Sequence, residues 1–270
     1  MNVREALQRA TQELGSRREA QYLLSSYLER DQAWLVTHPD APLERPMEFA
    51  DWTRRRSQGV PLAYLRQWQE FFGRRFFVDQ RVLIPRPETE LLIEETLRFA
   101  LDFPENVRIV DVGTGSGCVA ISLALELPRA QLFATDISPD ALTVAERNAN
   151  AFKVHDRICF LTGDLLIPIQ QKVDWILANL PYVAAQRWQQ ELSLAYEPRA
   201  ALVGEGDGTG TICRLLRQAL PLLNHPGRML LEIGEDQGGL VKKAQSLLPG
   251  AEVDLLLDLA GLPRLLRIVV

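Results

Sequence analysis

Nowhere in this 270-residue chain do 18 uninterrupted apolar residues occur, and the first fifteen, MNVREALQRATQELG, alternate charged with apolar side chains. A membrane-spanning helix and a secretory leader are both excluded by that pattern, so the expectation is a soluble, cytoplasmic protein with no membrane partner. Cysteine is scarce: Cys118, Cys159 and Cys213 are odd in number and widely spaced. Neither a disulfide framework nor a zinc site fits that spacing, and the three read as reduced core thiols. The three histidines, His38, His155 and His225, fall in loop-like contexts without ligand spacing, so neither a metal nor a histidine base is expected. Excess positive charge is also missing. A net charge of −5 argues against broad, charge-driven nucleic-acid binding, and sequence-specific nucleic-acid contact is not expected. Low-complexity tracts and internal repeats are absent as well, so the chain reads as ordinary globular protein.

What is present divides into two textures. Up to about Trp68 the apolar residues recur at helical spacing, as in Val3, Leu7, Ala10, Leu14 and again in Ala20, Leu23, Leu24, Tyr27, Leu28. Arg54, Arg55 and Arg56 within this part read as a solvated helix face. From Val107 onward, β-rich runs (VRIVDV, QLFATD, RICFL, VDWILAN, GRMLLEI) alternate with helical ones, and EVDLLL and RLLRIVV close the chain as strands. Such alternation predicts parallel βαβ units with helices on both faces of a sheet. Between the textures, FFGRRFFVDQRVLIP reads as a β-hairpin linker. The expected division is therefore a helical domain over 1–70, a hairpin over 71–84 and an α/β domain over 85–270.

Chemistry enters with DVGTGSG, residues 111–117, between a strand and a helix. Glycines at 113, 115 and 117 let the backbone turn sharply and approach a ligand, beside the free N–H groups of the helix start. The dinucleotide pattern G-x-G-x-x-G requires a third glycine at 118, where Cys118 stands, so the NAD reading weakens. A G-x-G-x-G turn with Asp111 two residues ahead of it resembles the cofactor loop of S-adenosylmethionine-dependent methyltransferases. Asp111, Gly113, Thr114, Gly115, Ser116 and Gly117 are accordingly the first candidate cofactor residues. Asp136, nineteen residues after Gly117 at the end of QLFATD, is placed to accept both ribose hydroxyls, with Ile137 beside it. Ser138 and Asp140 suit the cap of the following helix better than Asp136 does. Asp164 and Leu165, after the third strand, are candidates for an adenine amino group and the face of its ring.

The strand VDWILAN then stops in Asn179-Leu180-Pro181-Tyr182. A planar nitrogen nucleophile has a delocalised lone pair. Two acceptors on its N–H groups orient it and stabilise the developing charge, while an aromatic ring holds the plane. The Asn179 side-chain carbonyl and the Leu180 backbone oxygen serve as those acceptors and Tyr182 as the ring, with Asn179 also touching the cofactor. A capped strand end with a buried tyrosine accounts for these four residues equally well.

Most of the chain resembles the HemK-type release-factor glutamine-N5 methyltransferases. The resemblance rests on GVPLAY (59–64), EFFGRRFFV, IPRPETE (84–90), DVGTGSG, TDISPDAL, GDLL, NLPY, EPRAAL (197–202), GDG (206–208), LEIGEDQ (231–237) and DLAGLPR (258–264). It implies a Rossmann-like class I S-adenosyl-L-methionine-dependent methyltransferase domain, preceded by a small all-helical domain and a hairpin. It also implies a peptide chain release factor as partner, methylated on the glutamine of its Gly-Gly-Gln tip to give N5-methylglutamine. The family usually has Asn-Pro-Pro-Tyr; Leu180 keeps the needed carbonyl with a freer φ. Asn-Leu-Pro-Tyr is also similar to the motif of ribosomal-RNA adenine dimethyltransferases. The alternatives are therefore adenine-N6 methylation of nucleic acid and a non-catalytic cofactor-binding regulator, and PRPETE with the C-terminal motifs favours the protein substrate. Arg86 and Glu88 lie in PRPETE and are expected to help close the cofactor pocket, with no specific role following from the sequence.

Overall fold

The computed structural model describes residues 1–99, 106–190 and 195–270, and the chain separates into two compact units, Met1–Trp68 and Gln69–Val270. The first is helical: α1 (Val3–Leu14), α2 (Arg17–Leu28), α3 (Gln32–Thr37), α4 (Pro46–Ser57) and α5 (Leu62–Arg66). Its boundaries follow from local chemistry. Asn2 and Glu5 form a reciprocal capping box at the start of α1, Gly15 ends that helix with φ of 67°, and Ser16 caps α2. Val3, Ala6 and Ala10 of α1 are buried, as are Ala20, Leu23 and Leu24 of α2, while Leu7 is only half-buried. Small alanines let the two helices approach closely. Arg56 departs from the expected solvated face: its guanidinium meets Glu19 of α2 at 2.6 Å and donates to the Val60 carbonyl at 3.0 Å.

The second unit begins with a hairpin, β1 (Trp68–Phe71) and β2 (Arg74–Phe77), turning at Phe72-Gly73 with φ of 49° and 67°. Two successive positive φ values match the right-handed twist of the flanking strands, which is why glycine stands there. The hairpin starts three residues before the expected linker and packs as part of the core. Phe71 and Phe76 are 1% and 0% exposed, and Asn148 donates to the Phe77 carbonyl (3.0 Å) while accepting from its N–H (2.8 Å).

A 3₁₀ turn (Pro87–Thr89) and α6 (Glu90–Arg98) lead to β3 (Arg108–Val112), α7 (Cys118–Glu126), β4 (Gln131–Asp136), α8 (Pro139–Ala151), β5 (Ile158–Thr162) and β6 (Val173–Asn179). Then come α9 (Ala185–Gln190), α10 (Arg199–Leu202), α11 (Gly210–Ala219), β7 (Leu223–Glu232), α12 (Leu240–Leu247), β8 (Glu252–Leu257) and β9 (Pro263–Val269). Among the described residues, β3 to β9 form one sheet in the order β5-β4-β3-β6-β7-β9-β8, separate from the β1-β2 hairpin. From β5 to β7 all neighbours are parallel, as the alternation predicts, but β9 runs antiparallel to both β7 and β8. The reason is the linker: residues 258–262 are too few for a crossover, so β8 and β9 must form a hairpin.

Strand alternation sorts the core onto the two faces. Ile109, Leu132, Trp175, Leu177 and Leu230 pack on the side of α6 and α7, whereas Val110, Ile176, Met229, Leu231 and Ile268 pack on the other. The cysteines do not all join this core. Cys118 is buried and Cys213 half-buried, but Cys159 is exposed because β5 is an edge strand. No helix among the described residues is long and apolar enough to cross a membrane.

Candidate functional site

The sheet order puts β3 at the switch point, with β4 on one side and β6 on the other, so three strand ends converge. Asp136 and Asn179 stand one residue beyond the last β3 pairings, Val112↔Thr135 and Val112↔Ala178. A cavity of about 380 Å³ opens there. Its lining includes Asp111, Gly113, Thr114, Gly115 and Ser116 of the glycine loop, Asp136 and Ile137 after β4, Asp164 and Leu165 after β5, and Asn179, Leu180 and Pro181 after β6. Two expected residues lie apart from it. Gly117 is outside the lining; a Cβ there would sit 2.9 Å from Ile121 and 3.0 Å from the Ala145 side chain, so its glycine serves the packing of α7 on α8. Tyr182 faces a neighbouring cavity of about 480 Å³, bordered also by Gln237, Lys243 and Arg264.

The glycine loop is held by its own backbone and by acids. Gly113 and Thr114 donate to the Thr135 carbonyl at 2.8 and 3.0 Å, and Gly115 donates to Asp136 Oδ2 at 2.9 Å. Gly113 has a φ of 74°, which favours glycine, and lies close to the other motif: a Cβ there would stand 3.1 Å from the Leu180 side chain and 3.7 Å from the Asn179 carbonyl. The two motifs are in contact. Asp111 is buried, accepting from the Thr114 hydroxyl (2.7 Å) and the Ala120 N–H (3.3 Å), and burial pushes its carboxyl up to about 6. Burial likewise raises the Asp136 carboxyl against the N–H groups of Ser138, Gly115 and Ile137. Ser138, not Asp136, caps α8.

Asp164, the candidate for the adenine amino group, lines the cavity and has a partner of its own. Arg214 of α11 grips it with two nitrogens at 2.6 and 3.1 Å and also meets Glu205 at 3.1 Å. Leu165 sits in the cavity wall with φ of 54°, a left-handed conformation costing about 1–2 kcal/mol for a residue with a Cβ. Across the mouth, buried Glu197 pairs with the Arg86 guanidinium and accepts from the Ile84 N–H at 3.0 Å. IPRPETE and EPRAAL are thereby fastened together at the rim.

The turn after Asn179 is braced from behind. Gln237 donates to the Tyr182 carbonyl at 3.2 Å, Val183 donates to the Leu202 carbonyl, and Gly204 donates to the Val183 carbonyl. A Cβ on Gly208 would lie 2.2 Å from the Tyr182 carbonyl oxygen, which explains the glycine of GDG. Burial pushes the Tyr182 phenol up to about 12, so it stays a neutral donor.

A model of the methyltransferase small domain matches residues 88–206, and one of the PrmC N-terminal domain matches residues 5–66. The chain is 40% identical over 258 residues to the release factor glutamine methyltransferase of Bordetella pertussis, covering 92% of this chain and 93% of that protein. The protein of the same name from Moorella thermoacetica is 40% identical over 252 residues, covering 90% and 89%. The chain belongs to the release factor glutamine methyltransferase family. It is thus an enzyme of the methyltransferase class. Solved structures agree on the fold. A methyltransferase from Pyrococcus furiosus (TM-score 0.54, 15% identity) covers 82% of this chain and 98% of its own. The hMettl16 catalytic domain in complex with MAT2A 3'UTR hairpin 6 (TM-score 0.58, 17% identity) covers 80% and 81%. The second unit is accordingly a class I methyltransferase domain that opens with the hairpin and follows the helical region.

Four polar residues at or beside this site escape sequence reasoning: Thr89, Glu197, Arg214 and Glu232. Thr89 and Glu232 are carried inside IPRPETE and LEIGEDQ, and a glutamate ending the apolar run GRMLLE is a readable anomaly. Arg214 gives no signal, since an arginine on an amphipathic helix is ordinary.

Proposed function

We propose that the 380 Å³ cavity binds S-adenosyl-L-methionine and that the chain methylates the side-chain amide nitrogen of the glutamine in the Gly-Gly-Gln motif of peptide chain release factors. The observation that carries this reading is the contact between Gly113 and the Asn179-Leu180 segment, which puts a ligand cradle and a pair of amide acceptors on one wall. The residues suit the cofactor. Each Asp136 oxygen already accepts one backbone N–H and keeps a lone pair for a ribose hydroxyl. Ile137 and Leu165 offer apolar surface to an adenine ring, and one buried and one half-buried carboxyl, Asp111 and Asp136, favour a cationic ligand.

Bound there, the cofactor supplies a methyl group on a positively charged sulfur. Asn179 Oδ1 and the Leu180 carbonyl accept the two N–H groups of the target amide, which fixes its plane and stabilises charge as it develops on nitrogen. Tyr182 buttresses the turn that presents them. Once methylated, the nitrogen loses its now acidic proton to solvent, so no side-chain base is required. The helical unit Met1–Trp68, which carries none of the cofactor motifs, engages the release factor, and the reaction belongs to the cytoplasm.

Incubating labelled cofactor with purified release factor, with its Gly-Gly-Ala variant and with RNA tests the reading. Label is expected on the intact factor alone. Label on RNA, or equal label on the variant, would overturn it.

A further inference from the structure

Asn179 carries an amide whose two ends are chemically opposite. If its NH2 end faced the target, the proposed acceptor would become a competing donor. Something must set the flip. Glu232 is the in-register neighbour of Asn179 on the adjacent parallel strand, so both side chains rise from the same face of the sheet. Thr89, at the end of the 3₁₀ turn, sits between them. Its hydroxyl donates to Glu232 Oε2 at 2.6 Å, and Asn179 Nδ2 donates to the Thr89 oxygen at 2.9 Å. The Tyr182 hydroxyl donates to Oε1, the other oxygen of the same carboxylate, at 3.4 Å. Thr89 and Glu232 are 3% and 1% exposed, so water does not compete for the bond between them.

We infer that Glu232 is a positioning residue for methyl transfer, orienting the Asn179 amide through Thr89 and anchoring Tyr182. This rests on the function proposed above. The placement of hydrogens decides the orientation. An ionised carboxylate only accepts, so the single Thr89 hydrogen points at Glu232 and leaves a lone pair toward Asn179. Only the NH2 end of an amide satisfies a lone pair. Asn179 Oδ1 is therefore turned away from Thr89 and left available as an acceptor.

Protonation would undo this, because a neutral Glu232 carries a hydrogen of its own and can donate to Thr89 or Tyr182. Burial pushes the Glu232 carboxyl up to about 7, opposed by the Thr89 hydrogen bond and the Arg264 charge and reinforced by Glu88. Arg264 is itself paired with Asp258 at 3.1 Å, and Arg86, whose charge faces Tyr182, is paired with Glu197. Orientation is then complete above about pH 7 and degraded below it.

Two readouts test this on the full-length protein: steady-state methylation of release factor between pH 6 and 9, and the Asn179 side-chain NH2 signal in protein carrying ¹⁵N-asparagine. Expected for Glu232→Gln is a kcat roughly 10- to 100-fold lower, the scale of a small misplacement at a reacting centre. Cofactor affinity by calorimetry stays within about threefold, the sign that the variant folds. In the wild type, kcat rises through about pH 7 and the Asn179 signal moves with the same midpoint; both pH responses vanish in Glu232→Gln. Thr89→Val reproduces the loss, and Thr89→Ser, which keeps the hydroxyl, recovers most of it. Glu232→Gln turnover within twofold of wild type, an Asn179 signal indifferent to pH and to Glu232, or Thr89→Ser as impaired as Thr89→Val would overturn this inference alone. Absence of methyl transfer by the wild type would overturn the substrate reading and this inference with it.

Discussion

The two units bury different things. Among the described residues, Met1–Trp68 buries no carboxyl; it buries the Tyr64 side chain and Thr53, whose hydroxyl returns to the Phe49 carbonyl of its own helix at 2.9 Å. Gln69–Val270 buries the carboxyls of Glu95, Asp111, Glu197 and Glu232 together with several threonines and Asn148. Desolvating a carboxylate is unfavourable unless partners compensate, and at Asp111 and Glu232 compensation is incomplete, since both are raised above their ordinary range. Helix amphipathicity and good caps account for the first unit. The second carries these raised carboxyls, and they stand at the carboxyl ends of β3 and β7.

Disturbing the second unit should give the largest effects. Asn179→Ala removes the proposed acceptor while sparing the cradle, so kcat is expected to fall by about 10²–10³-fold, the usual scale for losing a preorganised polar contact, with cofactor affinity nearly unchanged. Turnover within twofold of wild type would detach Asn179 from the chemistry.

Next comes a stability effect whose sign is fixed by the direction in which burial moves a carboxyl. The Glu232 carboxyl lies near 7 in the folded protein and near its ordinary value of 4.5 when unfolded, so between these limits the folded state binds the extra proton. Stability from this group is full below about pH 4.5 and is lost as pH rises through about 7. The loss is at most about 3 kcal/mol, since each tenfold change in proton affinity is worth about 1.36 kcal/mol. Urea unfolding of cofactor-free protein at pH 5 and pH 8 should therefore show a smaller drop for Glu232→Gln than for wild type. Identical drops would mean that Glu232 titrates normally.

Asp136→Ala should weaken cofactor binding by about 1.5–3 kcal/mol, one to two decades, through loss of hydrogen bonds to a charged acceptor. Unchanged affinity by calorimetry would remove Asp136 from the site. The smallest effect concerns the unit without buried carboxyls, and it tests whether the contrast between the two extends to their roles. Deleting residues 1–68 should leave cofactor affinity within about twofold and raise KM for intact release factor by roughly tenfold, since remote contacts contribute to positioning. A short Gly-Gly-Gln peptide should be a poor substrate for both forms. Equal KM values for intact factor would leave the helical unit without a recognition role.

Much of this was legible residue by residue. Helical spacing marks the first unit, and Gly73 marks the hairpin. Asp136 and Asn179 announce themselves because each ends an apolar strand run in a polar group, Asp111 because it interrupts one just ahead of the glycine loop, and the converging strand ends bring all three to one cavity. Other features became visible only in the structure. Gly117 serves helix packing, Asp164 is gripped by Arg214, Cys159 lies on an exposed edge, and β9 reverses the sheet's direction.

Whatever depends on neighbours along the chain was settled by residue order: strand and helix periods, caps, tight turns, and the glycine loop between β3 and α7. Pairings between distant residues came from the tertiary fold alone. Thr89 meets Glu232 across 143 positions, Asn179 meets Thr89 across 90, and Arg214 meets Asp164 across 50. Local propensity is a sum over adjacent residues and is written in their order. A hydrogen bond between two buried side chains depends on strand order and register, which emerge only when the whole sheet closes on its core.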